Sequence, residues 1–267
     1  MRLATIVGST GHVAALVRGD RCLPLHAGLT SVRAIAHAGA EGLEQVTAYA
    51  DAASPDAWVP LAGLTLGPVV ADPGAIYTIG LNYDGPGAAP RPDRPLVFGK
   101  AASSVAAHGA TLAWDRAVSD NVDAEVELGV VVGSGGRVFG YTIIDDVSSR
   151  DAWLDGDQWL LGKSMPGFCP VGPVIVTADE LDPADLRLEC LINGEPIQDG
   201  TTAAMRFPIA EILDYIGRHL VLRPGDLIAT GTPPRLPTPP GPDRRLRTGD
   251  VVTCRIEGIG DLVTRVA

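Results

Sequence analysis

Between Asp123 and Lys163 the chain concentrates residues able to do chemistry: Glu125-Val126-Glu127, then Asp145-Asp146, then Arg150-Asp151, then Gly162-Lys163-Ser164. The run 124–132, Ala-Glu-Val-Glu-Leu-Gly-Val-Val-Val, is β-branched and aliphatic and predicts a strand, on which side chains two apart share a face. Glu125 and Glu127 then point one way, while Ala124, Val126, Leu128 and Val130 pack the other. Two carboxylates on one face of an apolar strand repel each other and lose hydration, so they need a cation or shared protons. A hard divalent ion supplies that.

The elements that must position these groups follow from local patterns. Residues 138–146 predict a second strand with Asp146 at its end, and Ser148-Ser149-Arg150-Asp151 is a helix start by its capping side chains. Upstream, 2–66 predicts two or three short strands followed by alanine-rich helices between Ser31 and Ala53. Residues 75–81 predict a buried strand. Tyr83 to Pro95 is too rich in glycine and proline for strand or helix and predicts an irregular loop.

Downstream, Asn193-Gly194 between two apolar runs marks a type I′ hairpin with a structural role. Pro208 with Ile209, Ile212, Leu213 and Ile216 gives an amphipathic helix. A short strand over 227–230 ends at Gly231-Thr232-Pro233, where backbone amides and hydroxyls suit a carboxylate or carbonyl. Residues 233–248 form a proline-rich surface loop bordering a pocket, and 251–266 a final hairpin. About ten strands against two or three helices make the core mostly β.

A chain of 267 residues buries a substantial core, and 46% hydrophobic with 20% charged residues is a soluble globular composition. No apolar run approaches the length that spans a bilayer, and the start lacks a secretory apolar stretch, so a cytoplasmic protein without a membrane partner is expected. The net charge of -11 disfavours nucleic acid. Cys22, Cys169, Cys190 and Cys254 are too widely spaced for a zinc site or a disulfide framework and are expected as buried thiols.

In order along the chain stand Ile79-Gly80-Leu81-Asn82-Tyr83; Phe98-Gly99-Lys100 with Ser103-Ser104; 122–128; Gly140-Tyr141-Thr142 with Asp146 to Asp151; Gly162-Lys163-Ser164; Asn193-Gly194-Glu195; Pro224-Gly225-Asp226; and Thr230-Gly231-Thr232-Pro233. Through these motifs the chain resembles the fumarylacetoacetate hydrolase superfamily over nearly its whole length. The resemblance implies an α+β, mostly β fold: a mixed β-roll/β-sandwich catalytic domain over 69–267 and a small N-terminal α/β domain over 1–68. It also implies a homodimer and a Mg²⁺, Mn²⁺ or Ca²⁺ ion held by Glu125, Glu127 and Asp146, oxygen ligands that suit such hard cations. Lys163 matches the family's active-site lysine. Arg150, Trp153, Thr230, Gly231 and Thr232 are candidate substrate contacts.

The sequence departs from the family after Asn82-Tyr83, where a histidine and then a glutamate usually activate water or move a proton. Pro86 and Ala89 stand at the matching positions, and neither accepts a proton. Trp153 stands where the family often has a glutamine, and Pro166 replaces an acidic residue. His108, in Ala107-His108-Gly109, matches an ordinary turn. The expected function is therefore metal-dependent enolate chemistry on a 2-oxo acid or β-dicarbonyl compound: isomerase, tautomerase, decarboxylase or cyclase. C–C hydrolysis with Asp84, Asp93 or a metal-bound water replacing the dyad is an alternative, as is a catalytically silent metal- and ligand-binding homologue.

Overall fold

The computed structural model describes residues 1–9, 11–26, 28–151, 158–236 and 245–267. The chain opens with three antiparallel strands, β1 (Arg2–Gly8), β2 (Gly11–Arg18) and β3 (Arg21–Pro24), then two helices, α1 (Val32–Ala38) and α2 (Ala40–Ala52). Ser31 caps α1, its hydroxyl accepting from the Ala34 amide at 3.1 Å, which satisfies one of the free donors of the first turn. Short or single strands follow: β4 (Val59–Pro60), β5 (Ile76–Gly80), β6 (Leu96–Lys100), β7 (Val105–Ala106), β8 (Thr111–Leu112) and β9 (Val122–Asp123). The central pair is β10 (Val126–Val132) and β11 (Val138–Asp145), followed by β12 (Ser148–Ser149) and α3 (Trp159–Lys163). The rest comprises β13 (Cys169–Thr177), β14 (Arg187–Ile192), β15 (Glu195–Thr201), α4 (Ile209–Gly217), β16 (Leu227–Ala229), β17 (Val251–Ile256) and β18 (Gly260–Val266).

Eleven strands make one mixed sheet in the order β4-β3-β2-β1-β13-β11-β10-β16-β5-β6, with β7 beside β13. A second sheet runs β15-β14-β17-β18-β8. The fold is the mostly β, mixed-sheet architecture expected from the resemblance. Alternation along β10 sets the layers: Val126, Leu128, Val130 and Val132 enter the core that also holds Leu188, Cys190 and Cys254 of the second sheet. Val131, with Ile144 and Ile175, faces the core under α1 and α2. The N-terminal strands continue the large sheet through β1, whose Leu3 pairs with Ile175 of β13. The expected boundary at 68/69 falls in irregular chain between β4 and β5.

Several local expectations hold. Asn193 (φ 54°) and Gly194 (φ 85°) form the tight hairpin turn, both in the left-handed region. Because a Cβ there strains the backbone although space is open, Gly194→Ala is expected to destabilise the fold by about 1–2 kcal/mol. Urea unfolding checks it; a variant as stable as the parent contradicts the turn assignment. Buried Ile212 and Ile216 place the apolar face of α4 on the core, Pro208 standing just before its first residue. The helix start expected at 148–151 falls at its last residue, Asp151, which is helical; Ser148 and Ser149 before it form a two-residue strand that pairs with Asp123 and Val122. Asp151 Oδ2 accepts from the Asp120 and Asn121 amides at 2.9 and 3.0 Å, which ties this helical residue to a distant loop. All four cysteines are buried free thiols, Cys190 and Cys254 facing each other across β14 and β17. Among the described residues no helix is long and apolar enough to cross a membrane.

Candidate active site

β10 and β11 pair in a register that sets Glu127 opposite Ile144 and Val126 opposite Asp145. The Asp146 amide donates to Glu125 O at 2.9 Å, closing the same ladder just beyond the strands. Glu125, Glu127 and Asp146 therefore converge, all buried, with a ligand oxygen of each within 4.8 Å of the others. Glu125 and Glu127 thus share one face, as the two-residue alternation along this stretch requires.

Lys163, at the end of α3, enters this cluster. Its Nζ donates to Asp146 Oδ2, to Glu125 Oε2 at 3.1 Å and to Ser148 Oγ at 2.9 Å, and lies 5.1 Å from the centre of the Phe98 ring. Lys100, from β6, holds the other Asp146 oxygen at 2.6 Å and the Val147 carbonyl at 3.1 Å. Arg150 Nε meets Asp123 Oδ2 at 2.9 Å and its Nη2 meets Glu125 Oε1 at 2.5 Å; Arg235 also pairs with Asp123.

This arrangement divides the carboxylates. Burial alone would raise Glu125, but Arg150, then Lys163 and Arg235, hold it well below the usual carboxylate range. Burial and the negative charge of Asp146 push Glu127 well above that range, Lys163 only partly opposing. Burial disfavours the Lys163 ammonium, yet Asp146, Glu125 and Glu127 together bind its proton more tightly than water does. Burial also pushes Asp145, which faces away from the cluster and accepts from the Glu125 amide, up to about 7. Three oxygen donors, with negative charge that Lys163 alone does not neutralise at Glu127, fit a hard divalent cation.

A cavity of about 380 Å³ opens over the cluster, walled by Glu125, Glu127, Lys163 and Arg150, by the rings of Phe98 and Trp159, and by 79–81, 86–89 and 232–235. The two rings stand edge to face, centres 4.9 Å apart. Of the strand-end residues, Thr232 reaches the cavity wall, its hydroxyl donating to Val126 O at 2.8 Å. Thr230 is buried and donates to Leu128 O at 2.9 Å. Gly231 (φ 98°) donates its amide to Glu127 Oε2 at 2.8 Å; a Cβ there would stand 2.7 Å from Asn82 Cβ. That amide thus orients a carboxylate of the triad. Trp153 lies outside the described residues.

Other residues were not marked by the sequence reading. Gln198, on the hairpin read as structural, ties β10 to the cavity wall: it accepts from the Val126 amide at 3.0 Å and donates to Thr232 Oγ1 and Pro233 O, both at 2.7 Å. Lys100 stood in a quoted motif without a role. Arg235 and Arg206 carried no local signal, because their partners lie far away in sequence.

Among proteins of known sequence, residues 75–267 match the family model for the C-terminal part of fumarylacetoacetate (FAA) hydrolase. The chain belongs to the fumarylacetoacetate hydrolase family. An uncharacterised protein of Staphylococcus aureus (strain USA300) is 40% identical over 186 residues, 66% of this chain; the match spans 62% of that relative's length. A 5-carboxymethyl-2-hydroxymuconate delta-isomerase from Mycobacterium smegmatis superposes with TM-score 0.79 and 27% identity, covering 100% of this chain and 99% of that one. A maleylpyruvate hydrolase from Sphingobium sp. SYK-6, crystallised with manganese(II) and pyruvate, gives TM-score 0.82 and 26% identity, covering 100% and 99%. Pro86 and Ala89, the positions expected to match the family's histidine and glutamate, both line the cavity. Asp84 is exposed and pairs with Arg206, and exposed Asp93 stands outside the cavity wall. His108 accepts from the Val263 amide at 3.2 Å, in a turn away from the cavity.

Proposed function

We propose that this fumarylacetoacetate hydrolase family member is a divalent-metal-dependent enzyme that enolises a 2-oxo acid or β-dicarbonyl substrate, with an isomerase, tautomerase, decarboxylase or cyclase outcome. One observation carries the reading: the Glu125–Glu127–Asp146 triad and Lys163 are assembled, while the cavity wall at Pro86 and Ala89 carries no proton acceptor. Glu125, Glu127 and Asp146 would hold the cation, Mg²⁺, Mn²⁺ or Ca²⁺ by ligand type, which when bound polarises substrate oxygens as a Lewis acid.

The chain's own groups supply the rest. Lys163 Nζ keeps its positive charge in a buried site and faces the substrate oxygen on which negative charge grows as the α-proton passes to a solvent water in the open cavity, no side chain of the wall at Pro86 and Ala89 being able to take it. Arg150, held by Asp123 and Glu125, lines the cavity and sets positive charge there that would attract a substrate carboxylate. Phe98 and Trp159 give the cavity an apolar wall against the carbon part of the substrate. The working form is proposed to be a homodimer, as in the resembling family, which sedimentation measures directly.

A second reading, C–C hydrolysis, draws on the similarity to the maleylpyruvate hydrolase. It requires a water activated without Asp84 or Asp93, since neither lines the cavity. Turnover is expected to vanish on dialysis against EDTA and to return with Mg²⁺ or Mn²⁺. Product made in H₂¹⁸O is expected to carry no label from a cleavage step. Label in the product establishes hydrolysis instead, and full activity of metal-free protein overturns both readings. A simple 2-oxo acid such as pyruvate is expected to exchange its α-hydrogens with D₂O only when metal is present; no exchange with any such probe favours a silent homologue.

A further inference from the structure

One wall of the cavity is the segment 81–89, in which Leu81 and residues 86–89 face the site. Its composition, with Gly85, Pro86 and Gly87, gives it no secondary structure of its own to hold it in place. The fixing comes from Arg206, a buried cation downstream of β15. All three guanidinium nitrogens donate to this wall: Nε to Asp84 Oδ1 at 2.8 Å, Nη1 to Leu81 O at 2.9 Å and Nη2 to Ala89 O at 2.6 Å. The backbone adds two bonds, Arg206 N to Asn82 O at 2.8 Å and Asp84 N to Ala204 O at 3.0 Å. Arg91, just beyond the segment, donates to Arg206 O at 2.9 Å and lies over the Phe207 ring at 4.9 Å.

Leu81 itself has φ of 56°, a conformation that a leucine adopts only where its surroundings hold it. The Arg206 bond to its carbonyl does so and leaves the side chain 47% exposed at the cavity. Two ends and the middle of the segment are thus tied to a single planar fork, whose rigid donors span acceptors that a lysine ammonium, a point donor, cannot.

We propose that Arg206 is a positioning residue that makes residues 81–89 a standing wall of the ligand pocket, in place before ligand arrives, and not a lid that closes over it. The inference rests on the functional reading above only in taking this cavity as the ligand site. A standing wall selects ligands by shape, through Leu81 and the 86–89 backbone, and the pocket needs no ordering step on binding.

The test is amide hydrogen exchange of peptides covering 83–89, read by mass spectrometry in metal-free protein, with Mn²⁺, and with Mn²⁺ and oxalate as probe. Wild-type exchange is expected to change by less than about twofold on adding Mn²⁺ and oxalate, the Asp84 and Ala88 amides, bonded to Ala204 O and Gly85 O, being slow already without ligand. Arg206→Ala is expected to exchange at least about tenfold faster and to bind oxalate about tenfold more weakly, at unchanged Mn²⁺ affinity, as loss of charge-assisted bonds predicts. Arg206→Lys should not rescue it. Asp84→Ala, which removes one acceptor at an exposed site, should fall between and serves if Arg206→Ala does not fold. Fast wild-type exchange that slows only with Mn²⁺ and oxalate, unchanged exchange in Arg206→Ala, or rescue by lysine each overturns the proposal. Wild-type protein that binds neither Mn²⁺ nor oxalate overturns the metal reading instead, and the metal-free comparison still decides on Arg206.

Discussion

Glu127→Gln is expected to abolish turnover and lower divalent-metal affinity beyond the ~100-fold produced by removing an outer partner of a metal ligand, while the protein stays folded. The contrast comes from the site's electrostatics. Glu127 is buried beside Asp146, and both effects hold its carboxyl well above the ordinary range. An acid whose folded-state pKa is raised contributes stability below its unfolded value that is lost as pH rises through the folded one. In the metal-free protein burial and Asp146 thus disfavour the charged form of Glu127, and glutamine is a neutral side chain of equal size. Its side-chain oxygen can still accept the Gly231 amide that now binds Glu127 Oε2 at 2.8 Å. Metal-free Glu127→Gln should therefore melt at or above the parent's temperature. Calorimetric titration with Mn²⁺ and thermal unfolding check the two halves. Retained affinity and activity would remove Glu127 from the metal site.

Lys100→Met has the opposite signature: it should weaken the fold strongly, by about 3–5 kcal/mol in metal-free protein, the range for stripping one partner from a buried ion pair. Lys100 and Asp146 are both fully buried, 2.6 Å apart, and Lys100 also donates to the Val147 carbonyl. Methionine fills the volume and leaves Asp146 Oδ1 without a counter-charge, with Lys163 holding the other oxygen. Divalent metal should recover part of the loss, because a cation bound to Asp146 supplies the missing charge. Chemical denaturation with and without Mn²⁺ measures both. A change below about 1 kcal/mol, the range of exposed pairs, would mean that the pair is not as dry as its burial implies.

What the sequence made legible was what local pattern encodes. On β10 the two-residue alternation separates Glu125 and Glu127 from Val126, Leu128 and Val130, and the structure keeps that separation. Asn193-Gly194 and the apolar stripe of α4 are local in the same sense. Arg206 and Arg235 were illegible because nothing near position 206 announces Asp84 or Ala89, and nothing near 235 announces Asp123. At 148–151 the local signal is right about a helix start only at its end: Asp151 is helical, while Ser148 and Ser149 pair with β9, and Ser148 Oγ donates to Glu125 Oε2 at 3.2 Å. Gln198 was hidden behind a turn strong enough to explain its hairpin by itself.

The four buried thiols give the molecule an internal clock. A buried, apolar cysteine reacts with an alkylating reagent only when its surroundings open, so its rate of modification under native conditions reports the free energy of that opening. Cys22 lies in the N-terminal strands, Cys169 in the strand that joins them to the rest of the large sheet, and Cys190 and Cys254 in the second sheet. Mass mapping of which thiol is modified first would show, without any engineered probe, whether residues 1–68 breathe as a unit of their own or only together with the layer that carries the carboxylates.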